Sequence, residues 1–376
     1  MRQQDIQANL CEVESELLTT RDRWAEVHAE LEQLLERNGA PPSARWETID
    51  PWFAHHPYAT PWGVVVRSHG EIVAGAVLAH TIRHGMHRFT TPYVGVASWL
   101  PAEDAGASHL LAGALRDALE AFGKPWILHL AGLPSDDTTV DALRSELSLT
   151  STELGPPMAR LCFAPDQPLG TYLSRNTRSA VAKAVNRIKR SGLHYELAWT
   201  RDPGEIDENT AEVVDLHRRR SHQMFGGSPL DDADTRALFA DIVHAHAHAD
   251  RIRLLTLRLD HSLAAFALCE QAAGMLWVGT NRAAPEWLTF SPGTIVNAEV
   301  VRAAHADPGI HTVDWGGVVQ RYKLSGEVTL VRFQTLWAWS SHRVQLFTRC
   351  TGSFRRLTHG VKSVLRRAGE ATISRY

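Results

Sequence analysis

Cysteine is scarce. The 376 residues hold four, at Cys11, Cys162, Cys269 and Cys350, and no two form a CxxC pair. That spacing excludes a zinc ribbon and a thioredoxin-type dithiol. Cys162 and Cys269 lie inside apolar runs, which predicts buried thiols. Long apolar runs are missing too: none approaches the ~20 residues that span a bilayer. The opening Met1-Arg2-Gln3-Gln4-Asp5 lacks the basic start and apolar stretch of a secretory signal, so the expectation is a cytoplasmic chain. Charge of one sign is not in excess. Lys and Arg number 39 against 42 Asp and Glu, a net -3, which argues against a dedicated nucleic-acid binder but leaves room for a local basic patch. An HExxH pattern is absent. On a helix His244 and His248 share a face while His246 points away, so no metal site is predicted.

What is present is ordinary for a soluble protein: 44% apolar and 22% charged residues, in a chain long enough for two cores. Apolar spacing predicts a helix over 12–36, with Leu17, Trp24, Val27, Leu31, Leu34 and Leu35 on one face. A hairpin follows over 63–80, turning at His69-Gly70, and a further strand is predicted near 94–99. A helix over 107–122 leads to a strand at 125–130. Residues 151–168, rich in proline, cross to a second half. That half begins with a basic helix over 170–191, then a strand and two helices. A three-stranded meander over 252–281, a helix over 294–305 and a strand over 310–315 complete it. A helix between strands of one sheet implies a βαβ crossover.

The order repeats. Residues 64–75 resemble 255–266 (strand, polar turn, small-residue strand), and 114–130 resemble 296–313 (Ala-rich helix, Gly stop, strand). Two matches in register imply a duplicated domain, whose halves would meet at a cleft.

Five stretches in order carry a resemblance. They are Tyr172-Leu173-Ser174-Arg175-Asn176-Thr177-Arg178, Leu216-His217-Arg218-Arg219-Arg220, Leu263-Ala264-Ala265, Ser291-Pro292-Gly293, and Val313-Asp314-Trp315-Gly316-Gly317 with Tyr322-Lys323. Together they resemble GNAT-related acetyltransferases of envelope and polysaccharide clusters, similar in turn to Fem-type peptidyl transferases. The resemblance implies an α/β fold of tandem duplicated GNAT-like domains, each a mixed, mostly antiparallel sheet flanked by helices. It implies a non-catalytic half over 1–160, an acyltransferase half over 161–348 and a basic amphipathic tail over 349–376. It also implies transfer of an acyl group from acyl-CoA, acetyl-CoA first, to an amine of a small molecule, sugar, peptide or cell-envelope precursor. Aminoacyl-tRNA is the alternative donor, and a non-catalytic binding module is the alternative from another class. No metal is implied. In place of the family's glycine-rich phosphate loop the chain has Ser291-Pro292-Gly293-Thr294, keeping one glycine.

Within that frame each residue has a chemical reading. Ser291, Pro292, Gly293 and Thr294 open a helix whose free amides and dipole favour an anion; the same four also read as an ordinary helix start. Asp314, at a strand end beside glycines, suits orienting or deprotonating an amine, or else caps a turn or pairs with Arg321. Tyr322 suits a general acid and Lys323 a partner for phosphate; both also read as a packed phenol and a solvated amine. Arg220, His217 and Arg178 are the candidates for substrate contact. The basic helix suits CoA phosphates, a tRNA backbone or anionic lipid. In the tail, Phe354, Leu357, Val361, Val364 and Leu365 alternate with Arg and Lys at helical spacing, a pattern that fits peripheral membrane contact or packing on the domain.

Overall fold

The computed structural model describes residues 13–92, 98–316 and 327–350. The first half runs β1 (Val13–Leu18), α1 (Arg21–Arg37), α2 (Trp46–His55), β2 (Thr60–Ser68), β3 (Glu71–Arg83), β4 (Met86–Thr90), α3 (Ala105–Ala121), β5 (Trp126–Pro134), α4 (Thr138–Glu146) and β6 (Thr150–Leu154). After β7 (Met158–Cys162) the second half runs α5 (Leu169–Tyr172), α6 (Arg175–Ser191), β8 (Tyr195–Thr200), α7 (Pro203–Phe225), α8 (Ala233–His248), β9 (Ile252–Leu259), β10 (Ser262–Ala272), β11 (Met275–Ala283), α9 (Pro292–Ala306) and β12 (Thr312–Asp314). Two strands follow, β13 (Thr329–Val331) and β14 (Phe333–Trp339).

These form two seven-stranded sheets. The first is ordered β1-β2-β3-β4-β5-β14-β6 and the second β13-β7-β12-β11-β10-β9-β8. Each has one parallel pair, β4 with β5 and β11 with β12, and is otherwise antiparallel. Read outward from β1 and from β8, the two orders correspond place for place, so the duplication read from the sequence is borne out: β2–β3 matches β9–β10, and α3–β5 matches α9–β12. The sixth place, however, is exchanged. β7, which follows the first half, pairs with β12 in the second sheet; β14, which follows the second half, fits between β5 and β6 in the first. A boundary at residue 160 therefore falls inside a strand of the second sheet.

Local sequence explains most elements. In α1, Trp24, Val27, Leu31, Leu34 and Leu35 recur at helical spacing and are buried, while the Thr20 hydroxyl accepts from the Arg23 N–H to cap the first turn. That cap corrects the expectation of one helix from residue 12: Val13–Leu18 is an edge strand whose backbone pairs with β2, and Leu17 is exposed on it. Two Asp-capped helices, α3 and α4, cover one face of the first sheet around Leu111, Leu115, Leu128 and Leu143. The matching core of the second half gathers Leu255, Leu257, Ala265, Val296, Val300 and Val313 beneath α6 and α9. Cys269 is buried as expected. Cys162 is exposed, because β7 ends there and the chain leaves the sheet. The strand near 94–99 and the basic tail from Phe354 lie outside the described residues, or nearly so: Ser98 and Trp99 are described and are not in a strand. No helix among the described residues is long and apolar enough to cross a membrane.

The halves are joined by charge as well as by exchanged strands. Arg45 is fully buried and reaches Glu32 at 2.6 Å, and Arg251 from the second half shares that carboxylate at 2.5 Å. Close by, the buried His246 of α8 meets Thr48 of α2, Nε2 to Oγ1, at 2.8 Å. The Thr48 hydroxyl donates to the Pro42 carbonyl, so it accepts from His246 Nε2–H. Burial and the nearby Arg251 and Arg45 charges push the His246 pKa down to about 3.

Candidate acyl-transfer site

The second sheet splits where its parallel pair ends. β11 and β12 are in register at Met275 with Thr312, Leu276 with Val313 and Trp277 with Asp314, and no further. β11 runs on to Ala283 without β12 beside it. A cavity of about 570 Å³ occupies the gap. One wall is β11 from Val278 to Ala283, beyond its pairing with β12; another is Trp315 and Gly316, where the chain leaves β12. The first turn of α9 closes a third side through Ser291, Pro292, Gly293 and Thr294. Arg220, Met224 and Phe225, at the end of α7, stand at the far side.

The helix start is built to face outward. Ser291 adopts the left-handed conformation, φ 54° and ψ 45°, and its side chain makes no capping bond. For a residue with a Cβ that conformation is strained, and it turns the chain sharply into the helix. Pro292 has no N–H to satisfy, and Thr294 N–H returns to the Ser291 carbonyl at 3.0 Å. The positive end of a 15-residue helix thus opens on the cavity without a side-chain cap.

Asp314 is fully buried just behind this wall. Arg160 of β7 donates from Nε and Nη2 to its Oδ2 at 3.0 and 2.9 Å, and Gly316 N–H donates to its Oδ1 at 2.8 Å. The carboxylate therefore pins the strand end and the turn that lines the gap. Its ion-pair partner is Arg160, from the exchanged strand, which no local pattern in the sequence marks. Gly316 has φ +54°, and a Cβ there would sit 3.3 Å from the Trp277 indole nitrogen, so glycine lets the chain bend into the gap.

The remaining predicted residues divide. Arg220 lines the cavity. His217 stands behind it: Arg282, a cavity residue, donates to its Nε2 at 3.1 Å, which leaves Nδ1–H toward Ser228 Oγ at 3.4 Å. Burial, aided by the Arg282 charge, holds its pKa down at about 4, so the ring is neutral with its lone pair engaged. Arg178 lies away from the gap, its guanidinium against Gly170. Tyr322 and Lys323 lie outside the described residues. Sequence reading missed Arg282 and the Asn281–Asn297 side-chain bond of 2.7 Å that ties β11 to α9 across the cavity floor. Of the three histidines on α8, His244 meets Asp207 of α7 at 2.9 Å and His248 lies 3.9 Å from the same carboxylate, all exposed. A carboxylate does reach that pair, from the preceding helix.

In the second half a parallel strand pair opens over a helix N-terminus. Residues 175–324 match the acetyltransferase (GNAT) domain family, and the fold of the chain is Fem-like. Among solved structures it is similar to FemX, with 10% identity, a TM-score of 0.61 and coverage of 85% of this chain and 96% of that one. It is similar to a conserved protein of unknown function from Bacteroides thetaiotaomicron, with 12% identity, a TM-score of 0.52 and coverage of 84% and 96%. It is also similar to the C-terminal domain (DUF2156) assigned to a lysylphosphatidylglycerol synthetase from Agrobacterium fabrum, with 10% identity, a TM-score of 0.52 and coverage of 86% and 94%. No curated protein sequence matches.

Proposed function

We propose that the chain is an N-acyltransferase that moves an acyl group from acyl-CoA, acetyl-CoA being the donor to test first, to the amine of a small-molecule, sugar, peptide or envelope-precursor acceptor in the cytoplasm. The catalytic half is the second. The observation that carries this reading is the uncapped start of α9 facing the gap between β11 and β12. The pyrophosphate meets the helix amides at Gly293 and Thr294. The thioester arm lies along β11 beyond its pairing with β12. The acyl carbonyl then lies near the split, where strand N–H groups stabilise the oxyanion. The acceptor enters from the Arg220 side. Asp314 and Arg160 keep the Trp315–Gly316 wall in place. Tyr322 as general acid and Lys323 as phosphate partner remain part of the proposal.

Titration calorimetry with acetyl-CoA tests the donor. Binding is expected for the native chain, and Gly293→Glu, which sets a negative charge at the helix start, should weaken it by about tenfold or more, since such charges are worth roughly 1 kcal/mol or above there. Among the described residues a Cβ at Gly293 meets the Ala283 methyl at 3.5 Å, so the variant has room to fold. Equal affinity in both proteins would remove phosphate from this end of the helix.

One observation favours aminoacyl-tRNA as a second donor reading. Arg175, Arg178, Lys183, Arg187, Lys189 and Arg190 of α6 are exposed, and Arg187 donates to the Thr289 carbonyl, two residues before the helix-start turn. A polyanion beside the cavity mouth would meet that face. Binding of aminoacyl-tRNA that falls steeply with salt, with no response to acetyl-CoA, would select it.

A further inference from the structure

We propose that Asp207, His244 and His248 form a binding site for a divalent transition metal of the zinc class, which clips α7 to α8. Asp207 precedes Arg220 by 13 positions on α7, roughly 20 Å at 1.5 Å per residue, so the metal is structural and takes no part in the cavity. The site stands whatever donor the cavity accepts.

Two ligands come from one helix. Residues four apart stand one above the other, and the rings of His244 and His248 are 4.2 Å apart on α8. The third comes from α7. Asp207 Oδ2 lies 2.9 Å from His244 Nδ1 and 3.9 Å from His248 Nε2. The two ring nitrogens and the carboxylate oxygen all lie within 4.8 Å of one another. Tetrahedral zinc, with bonds of about 2.0–2.2 Å to nitrogen and oxygen, needs neighbouring ligand atoms roughly 3.3 Å apart. The observed spacings fall on both sides of that value, and small side-chain rotations complete the set. The sequence shows the histidine pair but not the carboxylate, which lies 37 positions before His244.

The three groups are free to serve. Among the described residues, the ion-pair partners of Asp207 are these two imidazoles, and no Lys or Arg competes for it. Asp241, three positions before His244, is taken by His55 of α2 at 2.6 Å. His246 lies on the other face of α8 and is held by Thr48. Without metal, His244 Nδ1–H donates to the carboxylate. With metal, the ring carries that proton at Nε2 instead, and Nδ1 offers its lone pair. Two imidazoles and a single carboxylate suit zinc, nickel or copper, whereas magnesium and calcium are held by oxygen. All three side chains are exposed, so water reaches the fourth position.

The place of the site in the fold says what the metal would hold. α7 and α8 pack through Ile206, Val213 and Leu216 against Val243 and Ala247. α8 also docks on the first half, through His246 with Thr48 and Asp241 with His55. α7 brings Arg220, Met224 and Phe225 to the cavity. A metal at Asp207 fastens the helix that carries the cavity wall to the helix that joins the halves.

The test is calorimetry and thermal melting of the chelator-treated chain with zinc chloride, and with magnesium chloride as control. Because the chain has 20 histidines, the readout is the difference between native protein and His248→Ala. We expect one zinc per chain to be lost or weakened at least tenfold in the variant, since even groups that only support a metal ligand are worth about 10–100-fold. Zinc should raise the native melting temperature above the variant's response, and magnesium should raise neither. Asp207→Asn, on the other helix, should reproduce the loss. Equal zinc binding and equal melting shifts in native and both variant proteins would mean adventitious surface binding only and overturn the site. Magnesium binding as tight as zinc would overturn its assignment to the imidazoles.

Discussion

Asp314 shows what a single residue does and does not reveal in advance. A carboxylate before Trp-Gly-Gly at a strand end marks a special turn, and that turn does line the cavity. Its partner, Arg160, lies 154 positions away and arrives on a strand that no periodicity assigns to this sheet. Likewise 291–294 were legible because Ser-Pro-Gly is a helix start, while Arg282 was not, because an Arg in an alternating strand reads as solvated. The Asp314 geometry yields a test of its own. Asp314→Asn keeps an oxygen for the Gly316 N–H but leaves Arg160 without its counter-charge. Because Arg160 keeps some exposure, the expected cost is about 2 kcal/mol, below the range for a fully buried pair. Urea titration measures that cost, and acetyl-CoA affinity should fall as the Trp315–Gly316 wall loosens. A variant as stable as the native chain would show that water already satisfies Arg160.

At the scale of elements, local pattern was enough for most helices and both hairpins, because each closes on neighbours in sequence. It was not enough for strands whose partners are remote. β4, with sequence MHRFT, has too little apolar alternation to stand out, yet it provides the parallel partner of β5. β14 is a strongly apolar strand whose place between β5 and β6 follows only from topology. That exchange has a mechanical consequence. Removing β14 would strip the first sheet of a central strand, unpair the backbones of β5 and β6 together and expose Leu336, Ala338 and Trp339 partners in the core. A chain ended after residue 332 should therefore lose cooperative folding in the first half, although every truncated residue lies beyond the second. Calorimetry and near-ultraviolet dichroism would register it. A native-like melting transition in that truncated chain would mean the sheet closes without its sixth strand.

For the whole molecule, pH response reflects groups buried with opposite preferences. His129, His217 and His246 sit in different parts of the chain, and burial holds their pKa values at about 4, 4 and 3. An unfolded imidazole titrates near 6.5, so below that pH the unfolded chain binds more protons than the native one through these three groups. Their contribution to stability is whole above about pH 6.5 and drains away as the pH falls toward 4. Glu270 and Asp137 act the other way. Burial raises them to about 7 and about 6, so the native chain holds their protons where the unfolded chain has released them, and they weaken the fold as pH rises through 4.5 to 7. Between pH 5 and 6 the two sets largely cancel, and the native chain should show a shallow slope of stability against pH, on the order of one proton. Separating the sets exposes each. His246→Gln keeps a donor for Thr48 and should flatten the slope by nearly one proton, whereas Glu270→Gln should steepen it by about the same amount. Urea midpoints collected from pH 5 to 6 on the three proteins measure both shifts at once, and parallel slopes in all three would mean that neither group is desolvated in the folded chain.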